Sequence, residues 1–145
     1  MNRPVYETAE DRSAEHRAMV KLALHCNMQF DKLPQFDPFD FHLIKGGRPR
    51  AKVEVKVRSC TMDRYPTYMI SKTKTRNAEL YIRDGWVCLL LVQWADKLGV
   101  TRLGFDYEER QGGRIDRGDP RDMETVSLIP IDRFVVIGGA DVRRH

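Results

Sequence analysis

The nine residues WVCLLLVQW at positions 86–94 carry no charge and form the longest apolar run of the chain. A membrane-spanning helix needs about 20 such residues. A run this short and this uniformly apolar instead predicts a strand buried on both faces, and such a strand needs a covering layer on each side. The flanking sequence supplies them. Residues 8–26, TAEDRSAEHRAMVKLALHC, predict a helix with Thr8 or Ser13 as N-cap and an apolar stripe through Met19, Leu22 and Cys26. Residues 71–84, SKTKTRNAELYIRD, predict a second helix stopped by Gly85. Strand signals fall at 28–30, 41–44, 53–57 and 100–105, the last pairing back across ADKLG. A final strand with a short helical turn at 131–134 is expected in VSLIPIDRFVVIGG. Helix, strands, helix, strands is the order of a mixed α/β fold, and 145 residues suit a single domain.

Composition narrows the function classes. The N-terminal MNRPVYETAEDRS has no apolar stretch of signal-peptide type, so a cytoplasmic protein of a bacterial, archaeal or phage-infected cell is expected, without a membrane partner. Cys26, Cys60 and Cys88 are widely spaced, make no CxxC pair, and read as reduced core thiols. The four histidines do not suggest a metal site of their own. A net charge of +4 leans towards an anionic partner.

The polar chemistry concentrates in residues 36–59, FDPFDFHLIKGGRPRAKVEVKVRS, which read as a hairpin. A three-residue loop Gly46-Gly47-Arg48 with Lys45 opposite Pro49 places Asp40 opposite Glu54, Cβ atoms about 5 Å apart. A two-residue loop would set Asp40 against Val53 and put the carboxylates on opposite faces. The apolar pattern favours the first register, gathering Phe41, Leu43, Val53, Val55 and Val57 on one face. Asp40, His42, Lys52, Glu54 and Lys56 collect on the other. Opposed carboxylates repel, and a divalent cation removes the penalty; hard oxygen ligands suit Mg²⁺. Lys56 projects from the same face, where it could orient a water or meet phosphate charge. The plain alternative is a solvated face neutralised by Arg50, Lys52 and Lys56. Glu15 shares the stripe of the first helix, one turn before Met19, where a carboxylate is costly unless paired or metal-linked; a wet rim position beside Arg12 or Arg17 is the alternative.

Glu15 in the first helix, Asp40 at the end of DPFD, and Glu54 and Lys56 in EVK stand in an order that resembles the PD-(D/E)xK nuclease superfamily, with its restriction-endonuclease-like and junction-resolvase-like members. The likeness covers about residues 8–105. It implies an αβββαβ core with a mixed central sheet flanked by helices. Carried onto this chain, it implies Mg²⁺, with Mn²⁺ as substitute, held by Asp40, Glu54 and the main-chain carbonyl of Val55. Lys56 would assist the nucleophilic water, and Glu15 would support a metal water or second ion. Asp37 competes with Asp40 for the acidic role, but Asp40 begins the strand and shares the face of Glu54.

DNA is the expected partner. Lys72, Lys74 and Arg76 open the second helix, where cations oppose the helix dipole, so phosphate contact is one reason for them. Arg48, Arg50 and Lys52 would extend that basic surface, and an exposed basic face without a partner is the bland reading. Segment 106–124 is charged and glycine-rich, a solvated excursion first and a DNA-contacting arm second. Residues 125–139 would follow as a C-terminal strand and turn. The function expected is a metal-dependent endonuclease, with a homodimer by analogy to enzymes that cut one strand per site. The rival is a non-catalytic nucleic-acid- or protein-binding module on the same scaffold, and a purely structural interaction protein comes third.

Overall fold

The computed structural model describes residues 9–113 and 123–142. The first helix, α1 (Ala9–Cys26), precedes three strands: β1 (Gln29–Lys32), β2 (Phe41–Lys45) and β3 (Arg48–Val57). A short β4 (Thr67–Ser71) leads directly into α2 (Lys72–Arg83), then β5 (Val87–Gln93) and β6 (Lys97–Arg102). The chain closes with β7 (Glu108–Gly113), β8 (Met123–Pro130), a single 3₁₀ turn at Ile131–Arg133, and β9 (Val135–Gly139). Ser13 lies inside α1 rather than capping it, and Thr8 lies outside the described residues.

Two sheets result. The larger is mixed, in the order β1-β2-β3-β5-β6-β9; the smaller runs β4-β8-β7. Only β3 and β5 run parallel within the large sheet, because β4 and α2 form the crossover between them. The WVCLLLVQW run supplies β5 beside β3, and its side chains alternate between two separate cores. On one face Leu91 packs with Val53, Val55, Phe41 and Leu43 under Ala18, Met19 and Leu22 of α1. On the other, Cys88, Leu90 and Val92 pack with Ala78 of α2 and with Tyr68, Ile70 and Ile129 of the small sheet. Each large side chain fully buried in this way contributes about 1.5–3 kcal/mol. The covering layers that the apolar run demands are therefore a helix on one side and a helix plus a second sheet on the other.

That second sheet revises one expectation. The charged stretch 106–124 does not run entirely as a loop. Residues 108–113 and 123–130 form antiparallel strands, with Glu108 opposite Leu128 and Gly112 opposite Glu124. Residues 114–122 lie outside the described residues. Alternation explains the misreading, since strands exposed on one face look like loop when their charges are counted.

Helix α2 is closed at both ends by local chemistry. The Ser71 hydroxyl accepts the Thr73 amide at 3.2 Å, and the terminus is a Schellman arrangement in which Trp86 N–H reaches Tyr81 C=O and Gly85 N–H reaches Ile82 C=O. Gly85 takes φ +95°, which a side chain would resist. This fixes where α2 begins, and hence where Lys74 points.

The C-terminal end is tied to α1 by the bidentate pair of Arg17 with Asp141, both contacts at 2.7 Å. The guanidinium holds the Asp141 carboxyl below its usual 3.8. A depressed acid contributes stability above that value and loses it as pH falls through its folded value. Asp141→Asn should therefore lower the melting temperature slightly at neutral pH. The difference from the parent should shrink below about pH 4, as followed by thermal melts across pH.

Candidate active site

The hairpin that presents the site turns on two residues, not three. Gly46 and Gly47 adopt φ +61° and +74°, and Lys45 pairs with Arg48. Adjacent positive φ values are what a tight hairpin turn of this hand requires. Left alone, that turn would set Asp40 against Val53. The ladder instead slips by one residue between Leu43 and Ile44: Ile44 faces Pro49, Leu43 faces Ala51, and Arg50 is the extra residue of a bulge. Pro49 has no N–H to give to a ladder and is at home beside such a break. Phe41 then faces Val53, and Asp40 falls next to Glu54. The register expected from the apolar pattern is present, but a bulge sets it rather than the loop length.

Asp40 sits where the β2–β3 ladder stops. Its N–H donates to Val53 C=O at 3.0 Å, its C=O accepts from Leu33 N–H at 2.8 Å, and its carboxylate Oδ2 accepts from Val55 N–H at 2.9 Å. The side chain takes over the ladder bond that a continued β2 would have made. The N–H and C=O of a residue in an antiparallel strand point to the same side, so the Val55 carbonyl is directed towards Asp40 as well.

Glu54 is also buried, at 4 % exposure, on the α2 face of β3. Burial raises its pKa above the usual 4.5; the nearby Asp40 charge adds to this, and Lys74 and Lys56 oppose it. The two lysines bracket the carboxylate, with Lys74 Nζ 3.0 Å from Oε1 and Lys56 Nζ 3.3 Å from Oε2. Lys56 remains 40 % exposed at its side chain, so it faces solvent rather than the core.

The placement of Lys74 differs from that of a surface phosphate contact. It turns inward from the first turn of α2, donates to the Pro38 carbonyl and pairs with Glu54. Lys72 pairs with Glu109 of β7 at 2.8 Å. A buried carboxylate, Glu54, and an exposed one, Glu109, thus account for two of the cations that oppose the helix dipole, and Arg76 stays exposed. Lys52 is buried at 4 %, bonded to Asp37 at 3.3 Å and lying over the rings of Tyr81 and Trp86. It braces the loop before Asp40 and is not on the hairpin surface, unlike Arg48 and Arg50, which are exposed. Asp37 serves the same loop, accepting Phe39 N–H at 2.9 Å. Glu15 is half-buried on α1, the helix packed on the other face of the large sheet. Among the described residues no three His, Cys, Asp or Glu side chains gather as a metal-holding group.

A family model described as "Phage putative PDDEXK endonuclease" matches residues 1–137. The chain belongs to that family. No curated protein matches it. In this chain Asp37 directly precedes Pro38 and Asp40 follows two residues later on the loop into β2, while Glu54, Val55 and Lys56 are consecutive on β3. No described helix is long and apolar enough to cross a membrane. The signal for Lys74 was in the sequence as a cation at the wrong end of a helix; its destination, a buried carboxylate on β3, needed the fold.

Asp40 carries two separable loads, a charge against Glu54 and an acceptor for Val55. Asp40→Asn can keep the acceptor and removes the repulsion, so in chelator its melting temperature should equal or exceed the parent's. Asp40→Ala orphans a buried N–H and should cost about 1–3 kcal/mol in chemical denaturation. Equal losses in both variants would contradict this division.

Proposed function

We propose that this chain is a metal-dependent endonuclease that hydrolyses phosphodiester bonds in DNA, with Asp40, Glu54 and the Val55 carbonyl as ligands of Mg²⁺, or Mn²⁺ in its place. The observation that carries the reading is the pair of buried carboxylates at the end of the β2–β3 ladder, with two lysines on the oxygens of Glu54. Two carboxylates and a carbonyl suit a hard cation that keeps several waters. Such an ion would lower the pKa of a bound water and offset phosphate charge.

The chain's own residues divide the remaining tasks. Lys56, half in solvent and tethered to Glu54, orients the attacking water or meets the charge that develops on phosphate. Lys74 compensates Glu54 from the other side and holds the Pro38 carbonyl, which fixes the loop bearing Asp40. Glu15 is a candidate for supporting a metal water from α1. Arg48, Arg50 and Arg76 are the exposed cations of the basic sets read from the sequence, and we assign them to backbone phosphates. Lys52, paired inside the protein, would act on DNA only indirectly, whereas Lys72 sits in a solvent-exposed pair with Glu109 and stays available at the surface. We also assign the restriction-endonuclease-like αβββαβ core to α1, β1–β3, α2 and β5, a cytoplasmic setting, and a homodimer for cutting both strands.

The test is to incubate plasmid and branched DNA with the protein and Mg²⁺ or Mn²⁺. Asp40→Ala and Lys56→Ala should each lower the cleavage rate by at least about a hundredfold. A parent that binds DNA and cuts it with neither ion would instead be a binding module.

The bulge offers a second, sharper test. Deleting Arg50 removes the extra residue and keeps the two-residue turn, so every observed pair is preserved, Asp40 stays beside Glu54, and cleavage should persist at saturating protein. Loss of cleavage in the deletion chain, while folded by circular dichroism, would count against the register argument.

A further inference from the structure

Side chains alternate along β3, so Glu54, Lys56 and Arg58 follow one another on the α2 face of the sheet. Arg58 borders a cavity of about 420 Å³. Its walls include Tyr65, Tyr68, Met69 and Trp94, and Arg110 reaches in from β7. Among the described residues lining it are two arginines and no carboxylate. The smaller cavity along α2, by contrast, mixes Lys72 and Arg76 with Glu79, Asp106 and Glu109, a balance that does not favour a polyanion.

Tyr68 joins the cavity to the site. Its phenol is pushed up to about 12 by burial, opposed by the Arg58 charge and reinforced by that of Glu54. Arg58 lies 5.1 Å from the centre of the Tyr68 ring, and Arg110 Nη2 contacts the Met69 sulfur at 2.9 Å. Tyr65 and Met69 are 57 % and 48 % exposed, so the apolar lining opens to solvent. Aromatic faces with a flexible thioether suit a flat heteroaromatic ring, and the unopposed arginines suit the phosphates attached to it.

We propose that this cavity is a base-binding pocket that takes one unpaired nucleobase of the strand lying across Glu54 and Lys56. It therefore selects single-stranded or locally opened DNA over continuous duplex. A base stacked inside a duplex cannot enter a recess walled by Tyr65, Tyr68 and Trp94; it must leave the stack first, at a cost that an already unpaired base does not carry. The path of the strand rests on the phosphodiester reading above, but occupancy of the pocket by a base does not need cleavage.

The test uses the full chain carrying Asp40→Asn and a short fluorescent oligothymidine, beside an abasic strand of equal length and a duplex of the same sequence. Anisotropy should show the base-bearing single strand binding about tenfold tighter than the abasic one, in the range of one base–aromatic stack. Tyr65→Ala, at an exposed position, should erase that preference. Arg58→Ala should weaken both single strands alike. Cys60 lines the cavity and is half-buried. In a Cys26→Ser background its reaction with a maleimide should slow when the thymidine strand is bound and not when the abasic strand is. Equal affinity for the two strands, a preference that survives Tyr65→Ala, or tighter binding of duplex would overturn the pocket. Base preference in a parent protein that cuts nothing would keep the pocket and sink the hydrolase, whereas cleavage without base preference would do the reverse.

Discussion

Three hydrogen bonds to one residue organise this molecule. Asp40 is stitched through its N–H to Val53, through its C=O to Leu33 and through its carboxylate to Val55. The side-chain bond completes a ladder that the main chain has abandoned, so it fixes where β2 ends as well as where the charge lies. With Asp40 held there, Glu54 two positions from each of its β3 neighbours Lys52 and Lys56 must face α2. The buried acidic pair is then a consequence of strand alternation. Everything that neutralises it follows from the same geometry: Lys56 from its own strand, and Lys74 from a helix whose first turn is set by the Ser71 cap.

The site is costly to the fold in the absence of a cation. Burial and mutual repulsion both resist the charged form of Glu54, and the lysines only oppose that. The supporting shell shows how the cost is contained. Lys52, paired with Asp37 and covered by Tyr81 and Trp86, fixes the proline-bounded loop from inside, and His42 stacks on Trp86 with ring centres 5.1 Å apart. Polar groups that seemed destined for a partner are thus partly used as internal bracing.

Much of the architecture was legible in the residues. The apolar run at 86–94, the stripe on α1 and the capped α2 each announce their element by period and punctuation. Alternation in 53–57 was enough to choose the face of Glu54. Two features escaped because they depend on partners far along the chain. Residues 108–113 become a strand only by pairing with β8, which is also bonded to β4 some 60 positions earlier, as between Met69 and Leu128. The inward turn of Lys74 required knowing that α2 covers the polar face of β3. The hairpin shows a third kind of miss: the register was inferred correctly from packing while its assigned cause, the loop length, was wrong.

That displaced residue at Arg50 has a consequence for anyone comparing this chain with others. The number of amino acids separating the two acids does not by itself report their spatial relation, because one of them is spent on a kink. A relative with the same tip and no kink would carry the pair one residue closer along the chain, and one with a longer tip and the same kink one residue further apart, yet both would hold it in the same place. Matching by counting would align the wrong carboxyl group, whereas matching by inward and outward orientation would not.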